Sequence, residues 1–249
     1  MCGVCGFINL RGDSNSQEDR AILARMIAQL RHRGPDDSGS WFDSPSGVSL
    51  GHTRLSILDL SPEGHQPMVS ASGRYVIAFN GEIYNYKEVR KDLESAVAGT
   101  KWRGHSDTEV MLEAISHWGL LVALERFNGM FAFALWDRQD RALHLARDRL
   151  GEKPMYYGWM GEALLFGSEL KALRAHSSWY GEINRDSLSL FMRHNYIPAP
   201  FSIYEGIRKL PPASLITFRP YDRERWPEPQ IYWSARRVAF PRLPPPLLP

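Results

Sequence analysis

Apolar residues recur along this chain in two periods, and the switches between them mark out its elements. Gly6-Phe7-Ile8-Asn9-Leu10 reads as a short buried strand. Between Ser16 and Arg31, residues Ile22, Leu23, Met26, Ile27 and Leu30 recur at three- and four-residue spacing, which places them on one face of a helix. Arg33-Gly34-Pro35-Asp36-Asp37-Ser38-Gly39 is a turn cluster, by composition either a solvated loop or one that shapes a site. Tyr75-Val76-Ile77-Ala78-Phe79 is an unbroken β-forming run, and Asn80-Gly81, a strong turn dipeptide, predicts that the strand stops there. Ile83 to Leu93 reads as a helix. Ser106-Asp107-Thr108-Glu109 has capping-box spacing ahead of a second helix that carries Val110, Met111, Ala114, Ile115 and Trp118. Phe131–Asp137 and Ala142–Arg147 form a predicted hairpin around Arg138-Gln139-Asp140. Two more strands flank Gly158 and Gly161, before a helix from Glu169 to His176 or so. Strands in runs with helices grouped between them predict an antiparallel α+β architecture of stacked layers.

Composition narrows the classes without naming one. A chain of 249 residues with 43% hydrophobic content can bury a sizeable core, as one large or two small domains. Thirty basic against 28 acidic residues leave a formal charge of +2, so no bulk field draws it to nucleic acid or anionic membrane, and neither partner is expected. Cys2 and Cys5 are too close to staple distant parts of a fold, which suggests a reducing compartment. No basic-then-apolar leader and no run near the roughly 18 apolar residues of a membrane span is present, so cytoplasm is the expected location. His32, His52, His65 and His105 fit no zinc spacing, and no metal is predicted.

The candidate chemistry begins at Cys2. Once Met1 is removed, thiol and free α-amine share one residue. A thiol of pKa about 8.5 beside an amine of about 7.7–8.0 can pass its proton to that amine and attack a carbonyl carbon. By itself a cysteine in second place is weak evidence, because a small residue near a terminus needs no function. Cys5 lacks the adjacent amine and reads as a small buried hydrophobe.

Six blocks in fixed order sharpen the picture: Met1-Cys2-Gly3; Arg33-Gly34-Pro35-Asp36; Gly51-His52-Thr53-Arg54-Leu55-Ser56-Ile57-Leu58-Asp59; Phe79-Asn80-Gly81-Glu82-Ile83-Tyr84-Asn85; Ser106-Asp107-Thr108-Glu109; and Ala146-Arg147-Asp148-Arg149-Leu150-Gly151-Glu152-Lys153-Pro154. Together they resemble the glutaminase domain of glutamine-hydrolysing asparagine synthetases, class II amidotransferases with an N-terminal nucleophile. The resemblance runs from Cys2 to about Phe218. It implies a four-layer αββα sandwich of two antiparallel sheets. It also implies that Cys2 attacks the side-chain amide of L-glutamine, releasing ammonia and leaving a thioester that water hydrolyses. By the same resemblance, the Asn80 amide and the Gly81 N–H form the oxyanion hole, Arg54 takes the substrate α-carboxylate and Asp107 its α-ammonium. Glu82, Leu55, Ile57 and Leu58 then line the pocket. From the residues alone, Asn80-Gly81 is an ordinary turn, Asp107 a first-turn acid favoured by the helix dipole, and the three apolar residues plain core.

An asparagine synthetase also needs an ATP-using half, whose Ser-Gly-Gly-x-Asp-Ser loop does not occur in this sequence. ATP and magnesium would belong to that half, and no cofactor is expected here. The expected organisation is a glutaminase domain over residues 2–218, followed by a linker remnant and Pro-rich tail over 219–249. That pattern suggests a truncated product, or a subunit whose synthetase partner lies on another chain. Three readings stay open beside the first: a catalytically idle glutamine-binding or interaction module, a glutaminase serving another acceptor such as a polysaccharide sugar acid, and the glutaminase of an amino-sugar or purine-nucleotide synthase. Apolar surface left where a synthetase half would dock could drive self-association into a homodimer.

Overall fold

The computed structural model describes residues 1–10, 16–57, 60–96, 99, 101–219 and 226–240. Its first half contains β1 (Gly3–Asn9), α1 (Ser16–Ala28), β2 (Asp37–Asp43), β3 (Val48–Arg54), β4 (Met68–Val69), β5 (Tyr75–Ile83), α2 (Tyr86–Ala96) and α3 (Asp107–Trp118). Its second half contains α4 (Leu120–Arg126), β6 (Gly129–Asp137), β7 (Ala142–Arg147), β8 (Tyr156–Met160), β9 (Ala163–Gly167) and α5 (Leu170–Arg174). Then follow α6 (Arg185–His194), β10 (Ile207–Lys209), β11 (Ser214–Phe218), β12 (Gln230–Ile231) and α7 (Ala235–Ala239). The strands form two six-stranded sheets, ordered β10-β8-β9-β1-β3-β2 and β12-β11-β7-β6-β5-β4. Every pairing is antiparallel.

Strand alternation sorts the apolar side chains into three layers of core. Val4 and Ile8 of β1, Val76 and Ala78 of β5, and Ala132, Ala134 and Trp136 of β6 fill the space between the two sheets. Their odd-numbered neighbours turn outward: Cys5 and Phe7 pack against Leu23 and Met26 of α1, while Ile77, Phe79, Phe131 and Phe133 pack against α3. The result is helix, sheet, sheet, helix, the four-layer α+β sandwich expected.

Several boundaries differ from expectation for identifiable reasons. The strand predicted to stop at Asn80-Gly81 instead runs to Ile83, because β6 pairs with it throughout, Asn80 opposite Ala132 and Gly81 opposite Phe131. The helix expected from Ile83 therefore starts at Tyr86. The turn cluster covers only residues 33–36, since β2 begins at Asp37 and pairs along β3. β1 starts at Gly3 rather than Gly6, and α1 ends at Ala28 rather than Arg31, with Leu30 still buried. Ser106 Oγ caps α3 by accepting from the Glu109 amide at 3.2 Å. The Glu109 carboxylate does not reach back to Ser106, taking the Arg103 and Gly104 amides instead. Beyond residue 218, β12 adds an edge strand to the second sheet through β11.

The loop after β7 turns on one carboxylate. Asp148 is fully buried and accepts the backbone N–H groups of Phe131, Leu150, Glu152 and Lys153 at 2.9–3.1 Å. Arg147 closes the same loop from the other side, donating to the carbonyls of Lys153, Gly151 and Leu210. Asp148→Asn keeps the shape but swaps an acceptor for a donor facing those N–H groups. It should lower the unfolding free energy by about 1–3 kcal/mol in denaturant titration.

Candidate active site

Parity brings the two ends of the site together. Asn80 follows Val76 and Ala78 on the intersheet face of β5, and Cys2 precedes Val4 on the intersheet face of β1. Both side chains line a cavity of about 100 Å³ at one end of the sandwich, with Arg54, Gly81, Glu82 and Asp107.

β5 is an edge here, because β4 pairs only with Val76 and Ile77. The backbone N–H groups of Phe79, Gly81 and Ile83 point off that edge. Gln66 Oε1 takes the first at 2.7 Å and Asp107 Oδ2 the third at 2.9 Å. Phe131, opposite Gly81, directs its own N–H and carbonyl to Asp148, which confirms that Gly81 is not bonded to β6. The Gly81 N–H thus has no strand partner among the described residues and is held between two occupied donors. A Cβ at Gly81 would collide with the Met130 carbonyl, so the close strand pairing requires glycine. Asn80 is 1% exposed, and its Nδ2 has no hydrogen-bond partner among the described residues. An unpaired buried donor costs stability, and one aimed into a cavity suits an oxyanion.

Cys2 is half-buried. The Leu55 amide donates to its Sγ at 3.4 Å, and the thiol donates to the Leu55 carbonyl at 3.7 Å. Burial raises the thiol pKa, against the Leu55 amide, the terminal ammonium and Arg54, which lower it, and Asp107, which raises it further. The net rise means that a thiolate needs a base to form. The Cys2 carbonyl is held by Arg33 Nε at 2.8 Å, and Arg33 Nη1 in turn donates to Glu169 at 2.8 Å. Burial alone would raise the Glu169 carboxyl, but Arg33, Lys171 and His32 outweigh it and hold it down at about 2.

The opposite wall carries the charges expected for an amino-acid ligand. Arg54 is buried and donates through Nη1 to the Ser61 carbonyl at 3.0 Å. Gly64 makes room for it, since a Cβ there would collide with Arg54 Nη2. Asp107 is 5% exposed, and burial pushes its carboxyl up to about 6 despite the Ile83 and Thr108 amides, with Glu82 adding to the rise. Leu55 and Ile57 line the cavity, but Ile57 is 67% exposed and is rim rather than core. Leu58 lies outside the described residues. The structure also brings in residues to which the sequence assigned no role: Gln66, Thr108 and Lys153 line the cavity, and Arg33 and Glu169 stand behind Cys2.

Cys5 is fully buried, with its thiol pushed well up by burial, as expected of a structural cysteine. His52 bonds the Phe79 carbonyl at 2.9 Å, His65 bonds Asp37 at 2.7 Å and His32 bonds Glu169 at 3.0 Å. Among the described residues, no helix is long and apolar enough to cross a membrane.

The layers define a four-layer α+β sandwich of two antiparallel sheets, with Cys2 directly ahead of β1. Solved structures share it: glutamine phosphoribosylpyrophosphate amidotransferase from B. subtilis superposes with a TM-score of 0.63 over 93% of this chain and 49% of its own, at 19% identity. Residues 1–233 match the glutamine amidotransferase domain, and the chain belongs to that family. Asparagine synthetase [glutamine-hydrolyzing] 3 of Bacillus subtilis is 35% identical over 94% of this chain and 37% of its own length. A putative asparagine synthetase [glutamine-hydrolyzing] 2 of Methanocaldococcus jannaschii is 36% identical over 84% and 42%. Amidase chry2 of Gibberella zeae is 34% identical over 94% and 34%. The chain thus spans about a third to two-fifths of the length of these curated relatives.

Proposed function

We propose that this domain hydrolyses L-glutamine to glutamate and ammonia in the cytoplasm, as the ammonia-supplying half of an asparagine-synthetase-type amide transfer. The observation that carries the proposal is the one cavity lined by both Cys2 and Asn80, whose Nδ2 has no partner among the described residues, with the Gly81 N–H turned off the β5–β6 ladder beside it. With Met1 removed, the Cys2 amine takes the thiol proton and Sγ bonds to the substrate amide carbon. Charge gathers on the amide oxygen, where the two donors meet it. The amine returns the proton to the departing nitrogen, ammonia leaves, and water opens the thioester to give glutamate and the free thiol. Arg54 offers a planar pair of donors to the α-carboxylate, and Asp107 offers its carboxylate to the α-ammonium. ATP and magnesium would act in a synthetase domain or subunit, for which this chain supplies only the nitrogen.

Ammonia release from glutamine by the purified chain, alone and with a candidate synthetase partner, tests the reading. Release that requires Cys2 supports it. Glutamine binding without release, under both conditions, favours the idle module instead.

Asp107 supplies a pH test. Its carboxyl sits at about 6 when folded against 3.8 ordinarily, so the folded state holds the extra proton between those values. Stability from this group therefore falls as pH rises through that window, and above it the bare carboxylate is a cost that a ligand ammonium offsets. Glutamine affinity of the Cys2→Ser protein, read by calorimetry, should weaken as pH drops through 6, approaching roughly tenfold per pH unit. Affinity unchanged between pH 7 and pH 5 would remove Asp107 from the role.

A further inference from the structure

Lys153 lies in the Gly-Glu-Lys-Pro segment after β7, and its side chain reaches the same cavity as Cys2. It is 6% exposed. Its backbone cannot swing away, because Asp148 accepts its N–H at 3.0 Å and Arg147 donates to its carbonyl at 2.7 Å. Among the described residues, the one partner of its ammonium is the Met1 thioether, with Nζ 3.3 Å from Sδ. A thioether is a weak acceptor and does little to offset the burial of a cation. Loss of Met1 takes away even that.

We infer that Lys153 is a positioning residue for the nucleophile: once Met1 is gone, its ammonium stands over Cys2 and favours loss of a proton from both the thiol and the α-amine. The inference rests on the glutaminase reading and deepens it by naming what prepares the base. A positive charge nearby disfavours a second positive charge on the amine and favours a negative one on sulfur, so the two effects have the same sign. Of the other charged groups around Cys2, Arg54 acts on the thiol in the same sense, so the charge of Lys153 adds to that of Arg54 and does not replace it. Arg54 donates to the Ser61 carbonyl and Arg33 to the Cys2 carbonyl and Glu169, while Asp107 and Glu82 carry the opposite sign and hold protons on. Asp148 is already engaged by four N–H groups, and Arg147 by three carbonyls.

The test is the pH dependence of Cys2 alkylation by iodoacetamide, located by mass spectrometry, in the full chain with Met1 removed. Lys153→Met keeps the length of the side chain without its charge, and should move the midpoint up by about one pH unit. Lys153→Arg keeps the charge and should leave the midpoint near that of the wild type. The acid limb of kcat/KM for glutamine should shift in parallel. Lys153→Gln supplies the neutral side chain in a second form if the methionine variant melts early. Coincident alkylation profiles for wild type and the folded neutral variant would overturn the inference. A wild type that releases no ammonia would instead sink the glutaminase reading, and the alkylation profiles would still decide for or against Lys153.

Discussion

Cys2→Ala is expected to lower glutamine hydrolysis by about 10⁴-fold or more while leaving the fold intact. The size follows from chemistry: no other described thiol lines the cavity, Cys5 being fully buried on the opposite face of β1. An alanine removes the atom that forms the covalent bond, so what survives is only binding and the oxyanion donors. Stability should hardly change, since the half-buried Cys2 side chain makes only the two long contacts with Leu55. Cys2→Ser should be nearly as inactive, because a hydroxyl is a far poorer nucleophile near neutral pH, yet it should still bind glutamine. Steady-state ammonia release and a thermal melt on the same preparation check both halves of this prediction. Appreciable turnover by the alanine variant would require a different nucleophile.

Asn80→Ala is expected to lower kcat by about 10²–10³-fold with little change in KM, because the amide acts on charge that develops only in the transition state. Its effect on stability should be small or favourable. Asn80 Nδ2 is a buried donor with no described partner, and deleting it removes an unmet desolvation cost. The two signs together are diagnostic. A residue kept for the fold would lose stability and keep its rate, whereas this one should keep its stability and lose rate.

Much of the layering was legible because alternation along a strand is a strong signal. Phe131–Asp137 and Ala142–Arg147 alternate around a polar turn, and both strands lie where that pattern predicts, β6 extending two residues earlier. β2 and β3 left a weaker trace. Their residues, such as Gly39, Ser40, Ser49, Gly51 and His52, are small or polar, and they became strands through pairing with β1 and each other. The same physics hid the continuation of β5. Asn80-Gly81 carries a strong local preference for a turn, and the nine-residue ladder to β6 overrides it. That override keeps Asn80 and Gly81 in the ladder, opposite Ala132 and Phe131, and so beside the cavity.

The site was legible where several blocks converged. Cys2, Arg54, Asn80, Gly81, Glu82 and Asp107 all line the cavity, although they come from the ends of four different elements and the segments beside them. Support from behind was not legible. Arg33 reaches the Cys2 carbonyl from the turn after α1, and Glu169 meets it at the start of α5, 136 residues away. A bond across that separation leaves no local pattern. Gln66 was hidden in the same way, because holding the Phe79 N–H is a matter of reach and not of periodicity. Lys153 stood in a recognised block, but its burial against the cavity depends on Asp148 and Arg147 folding the loop around it.

The most direct test of the account is covalent. The purified chain should be treated with a glutamine-like electrophile, and the adduct weighed and mapped by mass spectrometry. One adduct per chain on Cys2, on protein that has lost Met1, blocked by excess glutamine, is the predicted result. Modification of Cys5 in place of Cys2, or an unmodified Cys2 in protein whose Met1 has been removed, would contradict it.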